Sequence, residues 1–248
     1  MYFELPGTNM RLIGSMHLLP SGSPGLPEWV VNAYEWCEEL VFESDPSTII
    51  DHLCPTIGVS LKKHLTPATW ETLQTLWPES ANFPPIESVQ PWAVSLFGTT
   101  FSSSLSAGVE NLFLQWAAEQ SKQVYFLESA EELVSTLDRA PIDDVVQSLE
   151  LLAADLSAPQ RSIEAMYQAW ITMDLAAMHD IAAQSPMFQN PKLRQIILEG
   201  RNLAWVSMLL NKMASPKRTL VAVGALHLCG PGNLLTLLGR DAQRIYQK

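Results

Sequence analysis

Short, mostly apolar runs of strand length recur along this chain, separated by long stretches of helical spacing. Met10-Arg11-Leu12-Ile13, Leu40-Val41-Phe42, Val124-Tyr125-Phe126-Leu127 and Leu220-Val221-Ala222-Val223 are four such runs. The last is β-branched at every other position, and runs of this kind read as strands buried in a parallel sheet. Tyr2 to Leu5 stands before the turn signal Pro6-Gly7-Thr8-Asn9. The chain is therefore expected to open with a hairpin whose second arm is Met10 to Ile13. Pro27 to Glu39 carries Trp29, Val30, Ala33, Tyr34 and Cys37 on one helical face. It delivers the chain to the Leu40–Glu43 strand, a parallel unit with a right-handed crossover.

Most of the remaining chain reads as helix. Thr66 before Pro67 starts a helix that reaches Trp77. Pro91 opens another, Ser- and Thr-rich residues from Phe97 to Gly108 read as an irregular connection, and Val109 to Gln120 is helical again. Ser129 and Glu132 have capping-box spacing, so a helix starts immediately after Glu128. Further helices are expected over Ile142–Ala153, over Pro159–Ala183 with a break, and over Pro191–Met213 behind an Asn190 cap. A short helix to Leu238 and an edge strand at Arg244–Tyr246 close the chain. The pattern predicts one α/β domain over residues 1–248: a central, mostly parallel sheet with flanking helices and large helical insertions at about 48–120 and 141–213. The second insertion is far longer than a crossover needs and reads as a lid over the C-terminal edge of the strands.

Chemistry concentrates at the predicted strand tips. Gly14-Ser15-Met16-His17 and Gly224-Ala225-Leu226-His227 each place a glycine after a strand and a histidine three positions on. The runs ending at Phe42 and Leu127 lead into Glu43 and Glu128. Two histidines and two glutamates at one sheet edge are the side chains that hold a divalent cation of the Zn or Mn type. Glu128 falls at a helix N-terminus, where the dipole favours the ionised form. Arg201 has Trp205 on its own helical face and would reach a carboxylate or an oxyanion over a pocket. His52, His64 and His179 lack partners at ligand spacing and read as surface residues.

Composition narrows the partners. With 15 basic against 26 acidic residues in 248, the net charge is −11. That excludes the clustered cations that nucleic acid or an anionic membrane requires. Hydrophobic residues are 47% and charged residues 17% of the chain, so it is globular, with enough apolar surface to bury a helical face in a homodimer. No run approaches the roughly 18 apolar residues of a membrane helix. No signal peptide is apparent, and three unevenly spaced cysteines point to reduced thiols and a cytoplasmic location.

The motifs in their order resemble the TraB/GumN family, which is similar to the Tiki-type metalloproteases and related to the erythromycin-esterase and ChaN-like proteins. The residues that carry the likeness are Gly14-Ser15-Met16-His17, Val41-Phe42-Glu43-Ser44-Asp45, Gln90-Pro91-Trp92-Ala93, Leu127-Glu128 with Glu131-Glu132, Arg201-Asn202 with Trp205, and Gly224-Ala225-Leu226-His227-Leu228 with Gly230. The resemblance implies an α/β core with helical insertions and divalent-metal-dependent peptide hydrolysis. It makes His17 and His227 metal ligands and Arg201 and Asn202 pocket residues, with Ser15 a substrate contact beside the first motif. Where relatives carry Gly-Val-Asp, this chain has Gly108-Val109-Glu110. The leading expectation is a hydrolase of a peptide or small-molecule substrate. His17, His227 and one of Glu43 and Glu128 would hold Mn, Zn or Co, the other glutamate would take a proton from water, and Arg201 would steady the oxyanion. The alternatives are a non-catalytic protein that binds metal, a haem-like ligand or a peptide, and a metal-free esterase with a histidine base.

Overall fold

In the computed structural model, which describes residues 1–54, 60–79, 83–239 and 241–246, the strands are β1 (Tyr2–Glu4), β2 (Met10–Ser15), β3 (Leu18–Pro20), β4 (Glu39–Phe42), β5 (Leu105–Ala107), β6 (Gln123–Phe126), β7 (Thr219–Gly224) and β8 (Gln243–Arg244). The helices up to the middle of the chain are α1 (Glu28–Trp36), α2 (Pro67–Leu76), α3 (Pro91–Phe101), α4 (Val109–Gln120), α5 (Ala130–Leu137) and α6 (Ile142–Ala154). They are followed by α7 (Ala158–Ile171), α8 (Leu175–Ala182), α9 (Pro186–Gln189), α10 (Pro191–Arg194), α11 (Gly200–Lys212) and α12 (Leu234–Leu237).

The main sheet has the order β6-β4-β7-β2-β1-β8. β6, β4, β7 and β2 are parallel neighbours, while β1 and β8 extend the sheet antiparallel beyond β2. The chain lays down β2, crosses through α1 to β4, continues through α4 to β6, and returns last to place β7 between β4 and β2. β7 is buried at every position, as a central strand covered on both faces must be. Its register with β2 sets Gly14 beside Val223 and Ser15 beside Gly224. The mixed α/β architecture and the mostly parallel sheet are those the hydrophobic pattern predicts.

Two apolar layers enclose the sheet. Ile13, Leu40, Phe42, Leu220 and Ala222 pack with α1, α4 and α7, including Trp29, Tyr34, Phe113 and Trp170. Leu12, Val41, Val221 and Val223 face Trp205 and Leu209 of α11 and Leu234 of α12. A separate helical core joins α2, α3 and α6 through Trp70, Leu73, Trp92, Val94, Leu149 and Leu152, so the two helical stretches pack on each other as well as on the sheet. α7 packs on β3, and the Trp170 indole N–H donates to the Gly14 carbonyl at 2.8 Å. This fixes a helix over the β2 tip.

Local signals explain the helix starts. Thr66 caps α2 through the Thr69 amide, Ser129 and Glu132 form the reciprocal capping box of α5, and Asn190 caps α10. The structure differs from the sequence reading in several places. α3 continues to Phe101, and Leu105–Ala107 is a strand, not part of an irregular connection. The 191–213 stretch is one helical column interrupted by a π turn at Gln195–Glu199. His179 packs against Gly230 and keeps 40% of its side-chain surface open. Among the described residues, no helix is long and apolar enough to cross a membrane.

Candidate functional site

The four parallel strands deliver their tips to one edge, in the order Glu128, Glu43, His227, His17 across β6, β4, β7 and β2. Main-chain bonds lock neighbouring tips together. The Glu43 carbonyl accepts from the amides of Leu127 and Glu128 at 3.0 and 2.9 Å, and the Glu43 carboxylate accepts the Gly224 amide at 2.6 Å.

The glycines of the two motifs explain why they precede the histidines. A Cβ on Gly14 would lie 3.0 Å from Cα of Ala225, and one on Gly224 would lie 3.0 Å from Nε2 of His17. Each glycine thus makes room for the other motif. Side chains there would force the two strand tips apart.

Both imidazoles are pinned through Nδ1. Asn202 points its amide nitrogen at the Gly232 carbonyl, 2.9 Å, which turns its oxygen to Nδ1 of His227 at 2.6 Å. An amide oxygen only accepts, so Nδ1 carries the proton and Nε2 is left bare. Nδ1 of His17 meets Oε1 of Glu110 at 3.0 Å, and the Ser15 hydroxyl donates to the same oxygen. Nε2 of His17 and Nε2 of His227 then face Oε1 of Glu43 at 3.6 and 3.5 Å.

Arg201 is buried behind this cluster. It donates through Nη2 to Oε2 of Glu43 at 2.7 Å, through Nε to Oε1 of Glu128 at 2.9 Å, and through Nη1 to the Ile197 carbonyl at 3.2 Å. Nη2 also contacts Glu128, and Nη1 lies 3.5 Å from Nε2 of His227. The Trp205 indole donates to the other Glu128 oxygen at 3.2 Å and packs at a tilt against the His227 ring. The π turn before Arg201 supplies the Ile197 carbonyl, an irregularity of the kind found at functional sites.

These contacts separate the charges of the groups. Burial of Glu43 works against its ionised form, but the flanking imidazoles and Arg201 hold it well below the usual carboxylate range. Burial holds His227 down at about 3, so its ring is neutral. Crowding pulls His17 down, but the carboxylates of Glu110 and Glu43 outweigh it and hold the ring at about 9. His17 remains the accessible member, with 56% of its side-chain surface open. Burial raises Glu128 above the usual range, although Arg201 and Trp205 donate to it. The helix dipole favours the opposite and is outweighed.

Of the residues the sequence singles out, the structure brings His17, His227, Glu43, Arg201, Asn202 and Ser15 into one connected network. The Glu128 carboxylate joins it through Arg201 and Trp205, with neither oxygen within 4 Å of an imidazole nitrogen. Glu110 enters it as the buried partner of His17. The sequence placed it at the start of a helix after a glycine. What could not be read was that Gly108 lies so close to His17 that a Cβ there would sit 2.2 Å from the His17 carbonyl.

His17, His227 and Glu43 are side chains of the kind that could hold a divalent cation. Ligand atoms about 2.1 Å from a tetrahedral cation stand about 3.4 Å apart, close to the separations from Glu43 to each Nε2. Oε2 of Glu110 is buried without a hydrogen-bond partner among the described residues. The donors are therefore suited in type, and each imidazole nitrogen lies near the same Glu43 oxygen. Three such side chains already converged at metal-holding geometry are not found among the described residues, so closing on a cation would take side-chain adjustment.

A family model described as the TraB/PrgY/gumN family matches residues 3–245. The chain is 28% identical over 242 residues to a protein of Escherichia coli (strain K12) named "Uncharacterized protein YbaP", covering 94% of this chain and 89% of that one. The protein of the same name from Shigella flexneri matches at the same identity and coverage. No solved structure gives a significant match.

Proposed function

The chain belongs to the TraB/PrgY/gumN family, and on that premise we propose that its strand-tip cluster is the active site of a divalent-metal-dependent hydrolase acting on peptide amide bonds. The observation that carries this reading is the pair of imidazoles, each anchored through Nδ1 and each turning its Nε2 toward the same oxygen of Glu43. Outer partners that fix the tautomer and orientation of histidine ligands are characteristic of metal sites.

In this reading His17, His227 and Glu43 hold the ion, with Glu43 suited to ligation because its surroundings keep it ionised. The ion supplies Lewis-acid activation of water and of the amide carbonyl. Glu128 accepts the proton from water: its pKa is raised, and Oε2 receives only the Trp205 indole N–H, which leaves a lone pair. Arg201 orients both carboxylates and presents the Nη1 edge nearest His227 to the developing oxyanion.

A second reading draws on the Glu110–His17 pair. A carboxylate behind Nδ1 of an accessible imidazole also suits a histidine that acts as a base without metal. One experiment separates the two. Wild type, His17→Ala/His227→Ala and Glu128→Gln are loaded with Mn, Zn or Co, desalted, assayed for metal, and tested on a peptide library with and without chelator. The metal reading requires near-stoichiometric metal in wild type and Glu128→Gln, none in the double variant, and chelator-sensitive cleavage by wild type alone. Cleavage that persists in chelator would replace it with the histidine-base reading.

A further inference from the structure

The two-stranded sheet of β3 and β5 is continuous with the catalytic cluster at both strands. β3 begins at Leu18, immediately after His17, and β5 ends at Ala107, immediately before Gly108 and three residues before Glu110. The strands are antiparallel, with Leu18 opposite Ala107, Leu19 opposite Ser106 and Pro20 opposite Leu105. The ladder is anchored at one end by the Ser21 amide on the Ser104 carbonyl at 3.0 Å; past its other end, and out of phase with its alternation, the Val109 amide donates to the Met16 carbonyl at 3.0 Å.

The Ser21–Ser104 bond fixes which peptide groups face inward. Residues directly opposite each other alternate between bonded and non-bonded pairs, so the bonded pair at Ser21–Ser104 makes Leu19–Ser106 the next bonded one. Pro20 has no N–H to give, which agrees with its non-bonded place opposite Leu105. The peptide groups of Leu105 and Ala107 are therefore turned to the far side of β5. Among the described residues, neither their amides nor their carbonyls meet any group beyond the β3 pairing. Ser106 and Ala107 are exposed; α7 packs on β3, and its Gln160 accepts the Ser104 amide just before β5 at 2.8 Å.

An unpaired strand edge is a template for another extended chain. Here the template leads into the residues that hold His17. We propose that β5 is the substrate-docking strand: an extended peptide adds to its free edge, pairing its backbone with Leu105 and Ala107, and is thereby led to the His17–Glu43–His227 cluster. This deepens the hydrolase reading and rests on it for the fate of the bound peptide, though not for the binding itself. The substrate it implies is an unfolded or extended polypeptide segment, recognised chiefly through its main chain. A folded domain or a compact small molecule offers no strand to pair.

The test uses the intact chain and a pool of randomised decapeptides at millimolar concentration. Hydrogen exchange of the fragment spanning residues 103–110 is followed by mass spectrometry. The pool should slow exchange of the Leu105 and Ala107 amides by about threefold or more, while a pool N-methylated at alternate residues should not. Leu105→Pro and Ala107→Pro each remove one outward N–H that the fold does not use, a substitution edge strands accept. Each should abolish the slowing and, where cleavage is measured, raise KM about tenfold with kcat little changed. Unchanged exchange in folded wild-type protein, or equal protection by the N-methylated pool, would overturn the docking strand. Protection without cleavage by any metal form would leave the strand standing and remove the hydrolase reading. Cleavage without protection would do the reverse.

Discussion

Gly224 and His17, one from each Gly-x-x-His motif, touch across the parallel β2–β7 pair: a Cβ on Gly224 would sit 3.0 Å from Nε2 of His17 and 3.3 Å from Oε1 of Glu43. The motif glycine is therefore part of the cluster's inner wall. Gly224→Ala must push the imidazole and the carboxylate apart by a few tenths of an ångström. Overpacking of this kind costs about 1–3 kcal/mol. Retained metal should fall with it, and elemental analysis beside urea unfolding would show both effects. Wild-type metal content in Gly224→Ala would mean that the spacing of His17 and Glu43 is not what binds the ion.

Arg201 lies between two buried carboxylates that repel each other. Among the described residues Arg201 is the cation that Glu43 and Glu128 share, so Arg201→Met leaves Glu128 uncompensated and Glu43 with His17 alone, a loss of about 3–5 kcal/mol. Adding Glu43→Gln and Glu128→Gln to that variant should recover part of the loss, because the buried charges go with their partner. Guanidinium unfolding of the two proteins measures the difference. If the triple variant were no more stable than Arg201→Met, the arginine would matter through its packing on Trp205 and not through charge.

The parallel strands and their functional tips were legible because burial on both faces writes a continuous apolar run, and a run that stops at a charge announces its end. Caps were legible for the same local reason, as at Thr66, Ser129 and Asn190. The β3–β5 ladder was not. Leu105–Ala107 is a three-residue strand in a Ser/Thr-rich stretch, and its partner lies more than 80 residues earlier. Glu128 shows a subtler limit. Its position at a strand tip was evident, but only the fold reveals that both oxygens are turned to Arg201 and Trp205. The π turn at Gln195–Glu199 keeps the same apolar spacing as an ordinary helix and leaves no mark in composition.

The two histidines should leave opposite signatures on stability. His227 has its folded pKa lowered to about 3, below an unfolded value near 6.5, so the unfolded chain binds the extra proton first. Its share of stability is present above about 6.5 and drains away as pH falls toward 3. His17 has its folded pKa raised to about 9, so its share is present below about 6.5 and is lost as pH rises toward 9. Solvent access to its ring keeps that share small. Urea midpoints across pH should therefore fall more steeply on the acid side. His227→Gln should flatten the acid limb and His17→Gln the alkaline one. An acid limb unchanged in His227→Gln would assign it to the carboxylates instead.

Glu110 reaches the cluster only through His17, which makes it a positioning residue. Its Oε1 takes both the Nδ1 proton of His17 and the Ser15 hydroxyl. Glu110→Gln keeps the volume but weakens the acceptor and removes the charge that keeps His17 a strong donor. Losing an outer partner of a histidine ligand typically lowers metal affinity about 10–100-fold. Titration of the metal-free variant with Mn or Zn should show that drop, while urea unfolding stays near wild type. Glu110→Asp should restore part of the affinity, since a shorter carboxylate still accepts from Nδ1. The histidine-base reading gives a different pattern: Glu110→Gln would shift the pH profile of cleavage and leave metal affinity untouched. The same variant thus asks which of the two roles the accessible imidazole plays.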